Sequence, residues 1–197
     1  MAASSQLLDT VSRAIGAEVA RVREGYTRLL DDFISLKASP DIIALRVFPD
    51  VKEITEAMGM LRSVPRERYG EDLTAVVVGD GSTPRLGALL AHVTKWQVHS
   101  IDPRLRAERI PTWTSKVRRL HIWPQKFQNA PVRDADLLFL PHAHVSVREA
   151  MRAILGPQGV CYFNPCCTKP DLEPEVVKVV LGILSPHNRI LVYRMPI

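Results

Sequence analysis

The spacing of apolar residues divides the chain into a helical front and an alternating second part. Up to Lys37, apolar side chains recur every three or four positions, which is the period of one helix face. These residues are Leu8, Val11, Ile15, Val19, Val22, Leu29, Leu30, Phe33 and Ile34. The stripe predicts one long amphipathic helix or two. Ser39-Pro40 and Pro49-Asp50 then each have the sequence of a helix start.

After the charged stretch 66–72, short apolar runs separated by turns replace the helical stripe. The runs typical of buried strands cover residues 73–78, 96–101, 117–123, 135–140, 160–163 and 189–193. Helical patterns lie between them at residues 84–94, 145–155 and 174–184. Buried strands that alternate with helices predict an α/β fold, with a mostly parallel, Rossmann-like sheet flanked by helices. We place an N-terminal helical extension at residues 1–70 and the sheet domain at 71–197.

The stretch VVVGDGSTPRLG, residues 76–87, joins the first predicted strand to a helix through a glycine turn. In such sheets, ligands bind beyond the carboxyl ends of the strands, beside the first one. Gly79 and Gly81 allow a ligand to approach the backbone closely. Asp102 ends the second strand, 21 residues after Gly81. A carboxylate in that place can accept hydrogen bonds from both hydroxyls of a ribose, so the pattern predicts a nucleotide-type cofactor.

Four segments together resemble class I S-adenosylmethionine-dependent methyltransferases: VVVGDGSTPRLGALLA, WQVHSIDP, ADLLFLP and LGPQGVCYF. The resemblance spans residues 73–193 and rests on the order of these patterns. It implies S-adenosylmethionine as the cofactor, with Asp102 on its ribose and residues 123–125 beside its adenine. The cofactor-binding residues that it implies are Gly79, Asp80, Gly81, Ser82, Thr83, Asp102 and Trp123.

The chain departs from the family pattern at several places, and its third-strand region lacks the Asp that commonly contacts the adenine. Val77 stands where the family has an acid, and Thr83 replaces the third glycine. After the fourth strand, the chain has Pro141-His142-Ala143-His144 in place of Asn or Asp followed by Pro-Pro and an aromatic residue. Two alternatives to a methyltransferase therefore stay open. The first is a catalytically inactive methyltransferase-like binding or assembly module, and the second is a nicotinamide-dinucleotide-binding protein.

Two histidines and two cysteines follow neighbouring strands of the expected sheet. His142 and His144 come after the fourth strand, and Cys166 and Cys167 after the fifth, so their side chains could converge. Either histidine is a candidate catalytic general base, because the unperturbed imidazole pKa lies near neutrality. Two His and two Cys would also suffice for zinc. Adjacent cysteines do not easily reach one ion, however, and the C-x-x-C spacing is absent, so we expect no metal.

The formal charge is +5, with a pI near 9.3, and its distribution points to a basic segment at residues 104–126. The segment holds a single acid, Glu108, against the basic residues Arg104, Arg106, Arg109, Lys116, Arg118, Arg119 and Lys126. Trp113 and Trp123 lie within it and Phe127 just beyond it. This combination suits nucleic-acid binding, with RNA the favoured substrate class. A solvated basic loop whose tryptophans seal the core is the alternative.

Composition gives expectations about membrane association and cellular compartment. No apolar run approaches the roughly 18 residues of a membrane span. Three cysteines make no disulfide framework, which indicates a reducing compartment. Acidic residues near the N-terminus argue against an organelle transit peptide, so we expect an intracellular, cytoplasmic protein. The N-terminal helices are a candidate surface for a protein partner.

Overall fold

A seven-stranded sheet with helices packed on it forms the centre of the molecule. The computed structural model describes residues 28–167 and 169–195. The strands are β1 (Thr74–Val78), β2 (Gln97–Ile101), β3 (Leu120–Trp123), β4 (Ala135–Pro141), β5 (Leu155–Asn164), β6 (Val176–Val179) and β7 (Arg189–Arg194). Their order is β3-β2-β1-β4-β5-β7-β6, and only the pairs that β7 makes with β5 and β6 are antiparallel. The predicted α/β fold with a mostly parallel sheet is confirmed.

The helices are α1 (Ser39–Ala44), α2 (Val51–Ser63), α3 (Arg85–Val93), α4 (Ile110–Thr114) and α5 (Val147–Ile154). Short 3-10 turns lie at Arg66–Gly70, Ala107–Arg109 and Phe127–Asn129. Most of the long helix predicted up to Lys37 lies outside the described residues, and residues 28–34 are helical. None of the helices within the described ranges is long and apolar enough to cross a membrane.

Local sequence explains where α1 and α2 begin. Asp50 caps α2, because its carboxylate accepts a hydrogen bond of 2.9 Å from the Glu53 N–H. The predicted helix start at Pro49-Asp50 is therefore confirmed. In α1, Pro40 lies in the first turn as predicted, but Ser39 is already helical and Ala38 precedes it.

Two apolar layers cover the two faces of the sheet. One layer joins α1, α2 and α3 to the side chains of β1, β2 and β4 that point their way. The other packs α5 against β4, β5 and β7. Trp96 is fully buried in the first layer and donates its indole N–H to the Arg68 carbonyl at 2.9 Å. This bond fastens the 3-10 turn at Arg66–Gly70 to the sheet, so the described helices of the N-terminal part share one core with the strands.

The predicted helix at residues 174–184 is wrong, because this segment holds β6 instead. Its valines are β-branched, which favours a strand, and residues 176–179 pair with β7 as an antiparallel edge. The fifth strand begins at Leu155 rather than at residue 160, because Leu155 already pairs with Ala135 of β4. The third begins only at Leu120, after a turn.

Candidate functional site

The turn after β1 depends on two glycines in the left-handed region of backbone space. Gly79 and Gly81 both have φ near +86°, which side chains other than hydrogen rarely allow. A Cβ at Gly79 would lie 2.8 Å from the Cβ of Ala143, and one at Gly81 would collide with the Arg85 guanidinium. The glycines therefore let the turn fold tightly beneath the loop that follows β4.

Asp80, between the two glycines, holds the start of α3. Its buried carboxylate accepts hydrogen bonds from the N–H groups of Leu86 and Gly87 at 2.9 and 3.0 Å. The Ser100 hydroxyl donates a third bond, at 2.7 Å. Both carboxylate oxygens are thus engaged inside the protein, and Asp80 serves the turn and the helix through them.

Asp102 occupies the end of β2 and is 4% exposed. Its Oδ2 accepts a hydrogen bond of 2.8 Å from the Gly81 N–H, and its Oδ1 one of 2.8 Å from the Arg104 N–H. The exposed Arg104 guanidinium lies 3.4 Å from the same carboxylate. The acid that the sequence placed beside the glycine turn is therefore bonded to it.

A cavity of about 540 Å³ opens at the carboxyl ends of β1, β2 and β4. Among the predicted site residues, Gly79, Asp102, His142 and His144 line it. The remaining ones lie away from its wall: Asp80, Gly81, Ser82, Thr83 and Trp123. The Thr83 hydroxyl instead donates to the Val47 carbonyl at 2.6 Å, so this side chain anchors the turn to the segment after α1.

The sequence predicts only part of the cavity wall that follows β3. Gln125 lies in the segment expected beside adenine, and it does line the cavity together with Lys126, Phe127 and Gln128. The indication in the sequence is the position of this segment directly after β3. Arg104, two residues after Asp102, is a further lining residue, which the sequence predicts only as part of the basic segment.

Trp123 belongs to an aromatic stack at the β2–β3 pair. Its ring lies nearly parallel to that of His99, which stacks on His121 with 4.7 Å between ring centroids. The Trp123 indole donates to His99 Nδ1 at 3.1 Å, which requires that nitrogen to be unprotonated. Burial, with the neighbouring His121 adding to it, lowers the pKa of His99 to about 4.

His142 forms a pair with a buried acid that the sequence did not single out. It follows β4 with a left-handed φ of 51°, and its Nε2 lies 3.1 Å from Oε1 of Glu56 on α2. Burial alone would raise the pKa of Glu56 and lower that of His142. Their mutual attraction outweighs burial, so the pKa of Glu56 is lowered and that of His142 is raised. Each shift favours the charged form of its group.

The Glu56–His142 pair is incompletely satisfied. Within the described part of the chain, neither carboxylate oxygen and neither ring nitrogen has a hydrogen bond of regular geometry. Native proteins leave few buried polar atoms in that state, and such atoms often mark functional sites. In the sequence, Glu56 interrupts the apolar stripe of α2. Only the structure shows that this acid is buried.

His144 meets both cysteines that follow β5. Its Nε2 lies 3.1 Å from Cys166 Sγ and 3.5 Å from Cys167 Sγ, and the two sulfur atoms are 3.6 Å apart. Burial raises the pKa of the Cys166 thiol, but hydrogen bonds from Cys167 and His144 outweigh it and lower the pKa to about 7. The expected convergence thus involves one imidazole with both thiols, while His142 turns to Glu56.

The basic segment divides into structural and exposed parts. The Arg119 guanidinium donates to the carbonyls of Ala91 and Thr94 at the end of α3, at 3.0 and 2.8 Å. Trp113 and Phe127 are buried in the core. The side chains exposed to solvent are Arg104, Arg106, Lys116, Arg118 and Lys126.

Comparison with known proteins supports the fold. No family model and no curated protein matches the sequence. An RNA methyltransferase from Salinibacter ruber, solved with S-adenosyl-L-homocysteine, matches with a TM-score of 0.55 and 15% identity over 76% of this chain and 94% of that one. A mutant of MtNAS in complex with S-adenosylmethionine matches at 0.54 and 17%, over 88% and 73%. A fibrillarin/Nop5p complex matches at 0.52 and 9%, over 75% and 83%. The chain has the Rossmann-like fold of class I S-adenosylmethionine-dependent methyltransferases.

Removing the Asp80 carboxylate should destabilise the protein. Asp80→Ala leaves two helix N–H groups and the Ser100 hydroxyl without their buried acceptor. We expect the free energy of unfolding to fall by about 2–4 kcal/mol, measured by urea denaturation. Asp72→Ala, at an exposed acid, serves as the control and should change stability by less than about 0.5 kcal/mol. Equal effects of the two substitutions would contradict the capping role.

His99 should make the protein sensitive to acid. Its folded pKa of about 4 lies below the ordinary 6.5, so the unfolded chain binds the proton more readily. The stability contributed by neutral His99 is complete above pH 6.5 and is lost as the pH falls towards about 4. His99→Gln keeps an acceptor for Trp123 without titrating, so its urea midpoint should fall less over this window. Identical pH curves for the two proteins would exclude His99 as the cause.

Proposed function

We propose that this chain binds S-adenosylmethionine in the cavity beside the glycine turn and transfers its methyl group. The observation that carries the proposal is the position of the cavity. It lies at the carboxyl ends of β1, β2 and β4, with the Asp102 carboxylate and the backbone of Gly79 in its wall. This is the ligand position of doubly wound α/β sheets. The neighbours in the fold comparison that were solved with S-adenosylmethionine or S-adenosyl-L-homocysteine support the same cofactor.

The residues of the cavity fit such a cofactor. Each oxygen of Asp102 accepts one backbone hydrogen bond and has a second, long contact of 3.4–3.5 Å with the exposed Arg104 guanidinium, which two ribose hydroxyls would replace. Val78, Ile101 and Phe127 provide apolar walls for a base, and the Gln125 amide offers polar contacts. When bound, S-adenosylmethionine supplies an electrophilic methyl group.

The protein's part in the reaction is mainly positioning. Holding two reactants in line can supply a large share of a rate enhancement without any proton transfer. His142 and His144 line the cavity and are the proposed catalytic side chains for an acceptor that must lose a proton. His144 already contacts two thiols, so we assign proton acceptance to His142, which must first lose the proton that Glu56 favours and turn its ring away from that carboxylate.

We propose RNA as the substrate class. Arg104 and Lys126 line the cavity itself, and three exposed cations lie in the same segment: Arg106, Lys116 and Arg118. The Arg104 guanidinium and the Lys126 ammonium beside the cavity suit a phosphate backbone. Lys116 and Arg118, by contrast, precede β3 and lie towards the amino ends of the strands. Stacking on aromatic side chains contributes less to this argument than the sequence suggested, because Trp113 and Phe127 are buried.

A catalytically inactive binding or assembly module is the second candidate. The observation in its favour is that Nε2 of each histidine beside the cavity already contacts a protein group. Ile34 and Ile43, in the N-terminal helical part, are 63% and 59% exposed and suit a protein partner. A nicotinamide-dinucleotide-binding protein is disfavoured, since its sheet has the order 3-2-1-4-5-6, whereas here the antiparallel β7 lies between β5 and β6.

Asp102→Asn should weaken cofactor binding while the fold persists. The amide keeps the size of the side chain but loses charge-assisted hydrogen bonds to the ribose. It also accepts from only one of the two backbone N–H groups that bond Asp102, those of Gly81 and Arg104. We expect the dissociation constant for S-adenosylmethionine, measured by calorimetry, to rise about ten- to hundredfold. Asp136→Asn is the matched control, because Asp136 also accepts a backbone hydrogen bond, from Thr74 at 2.8 Å, but lies outside the cavity.

Three outcomes of this measurement separate the candidates. The cofactor site is supported if the wild type binds S-adenosylmethionine, Asp102→Asn weakens that binding and Asp136→Asn leaves it unchanged. Binding without methyl transfer to any RNA offered favours the inactive module. Absence of binding to both S-adenosylmethionine and S-adenosyl-L-homocysteine by folded protein refutes the proposed cofactor.

Arg118 and Arg119 offer a matched pair for the RNA proposal. Arg118→Ala removes an exposed cation, so RNA of unrelated sequences should bind more weakly, with the salt slope reduced by about 0.7–0.9 per lost phosphate contact. Arg119→Ala should mainly lower the melting temperature, because its guanidinium bonds the end of α3. Fluorescence anisotropy across a salt series measures the first effect. Affinity that is independent of salt would contradict RNA binding through this segment.

A further inference from the structure

The loops after β4 and β5 bring a histidine and two cysteines together at the rim of the cavity. Pro141, at the end of β4, pairs with Asn164, at the end of β5, so the chain leaves both strands side by side. His144 lies on the first loop, and Cys166 and Cys167 lie on the second. One ligand atom from each of the three lies within 4.8 Å of the others. We propose that these three side chains bind one Zn²⁺ ion.

The distances between the donor atoms fit tetrahedral zinc. With Zn–S near 2.3 Å and Zn–N near 2.05 Å, tetrahedral angles place two sulfurs about 3.8 Å apart and sulfur about 3.6 Å from nitrogen. The observed separations are 3.6 Å between the sulfurs, and 3.5 and 3.1 Å from Nε2 to Cys167 and Cys166. Only the shortest must open, by about half an ångström, to match the zinc geometry. The objection from neighbouring cysteines therefore does not apply to these side chains.

The donor set selects the class of metal. Two thiolates and an imidazole suit Zn²⁺ and other thiophilic ions, whereas Mg²⁺ and Ca²⁺ take oxygen ligands. All three cysteines of the chain are free, so neither sulfur of the cluster is committed to a disulfide.

The proposed ion would keep one coordination position open. Within the described residues, no fourth His, Cys, Asp or Glu joins the group. Three protein ligands with an open position distinguish reactive zinc sites from structural ones, which take four. His144 also lines the cavity, so water or a ligand in the cavity is placed to complete the coordination. This site is separate from the proposed cofactor contacts of Asp102, and it stands whether or not the chain transfers methyl groups.

Metal content and ligand type can be measured on the unaltered full chain. Protein purified under reducing conditions and supplied with Zn²⁺ should retain one zinc per chain after desalting, by elemental analysis. X-ray absorption at the zinc edge should report two sulfur and two nitrogen or oxygen neighbours. Co²⁺ in place of Zn²⁺ should give the thiolate charge-transfer and d–d absorption of a tetrahedral site.

Single substitutions locate the site. His144→Ala, Cys166→Ser and Cys167→Ser should each weaken zinc binding by more than the roughly 10–100-fold that loss of an outer-shell contact costs. His121→Ala, at an exposed histidine outside the cluster, and Cys161→Ala, at a buried cysteine, should retain the metal. Far-ultraviolet circular dichroism checks that each variant is folded. If a variant is unfolded, the X-ray absorption of the wild type decides the ligand set.

Four results would overturn the proposal. These are reduced wild-type protein that retains no zinc, zinc retained in all three cluster variants, an absorption spectrum with only nitrogen and oxygen neighbours, and a disulfide between Cys166 and Cys167 that persists in reductant. None of these measurements involves S-adenosylmethionine, so failure of the metal site and failure of the cofactor site are distinguishable.

Discussion

Two buried carboxylates hold the turn on which the rest of the site depends. Asp80 binds the first N–H groups of α3, and Asp102 binds the N–H groups of Gly81 and Arg104. A buried carboxylate is costly unless hydrogen bonds satisfy it, and a helix start leaves N–H groups unpaired. Here the Asp80 carboxylate accepts from the unpaired N–H groups at the start of α3, so the same hydrogen bonds satisfy both partners. The glycines, at φ near +86°, allow the backbone to present those N–H groups in so tight a turn.

This arrangement couples structure to binding at Asp102. The same carboxylate fastens the turn and lines the cavity, so the turn fixes the orientation of the acceptor oxygens before any ligand arrives. Preorganised polar groups of this kind lower the entropic cost of ordering the site when a ligand binds. The loops after β4 and β5 differ in character. They carry His142, in the left-handed region and 3.1 Å from Glu56, and His144 with its two thiols, and both histidines line the same cavity.

The basic segment shows how one stretch of sequence divides between structure and surface. Arg119 closes the end of α3, where carbonyl groups lack helical partners, and Trp113 seals the core with its indole N–H on the Leu45 carbonyl. Arg118, one residue away from Arg119, is exposed. The two residues lie in the turn before β3, where the Arg119 side chain reaches the end of α3 and the Arg118 side chain faces solvent, so identical residue types serve opposite purposes.

The sequence by itself determined the strand–helix alternation, the glycine turn and the acid that ends β2, because each depends on periodicity or local backbone chemistry. It failed at residues 174–184, where a local pattern suited both a helix and the edge strand that pairing with β7 selected. Only the tertiary structure decided that Asp80 faces inward, that Glu56 meets His142 and that His144 lies between two thiols. These outcomes depend on side-chain direction and on contacts between residues far apart in the chain, and no local pattern encodes such contacts.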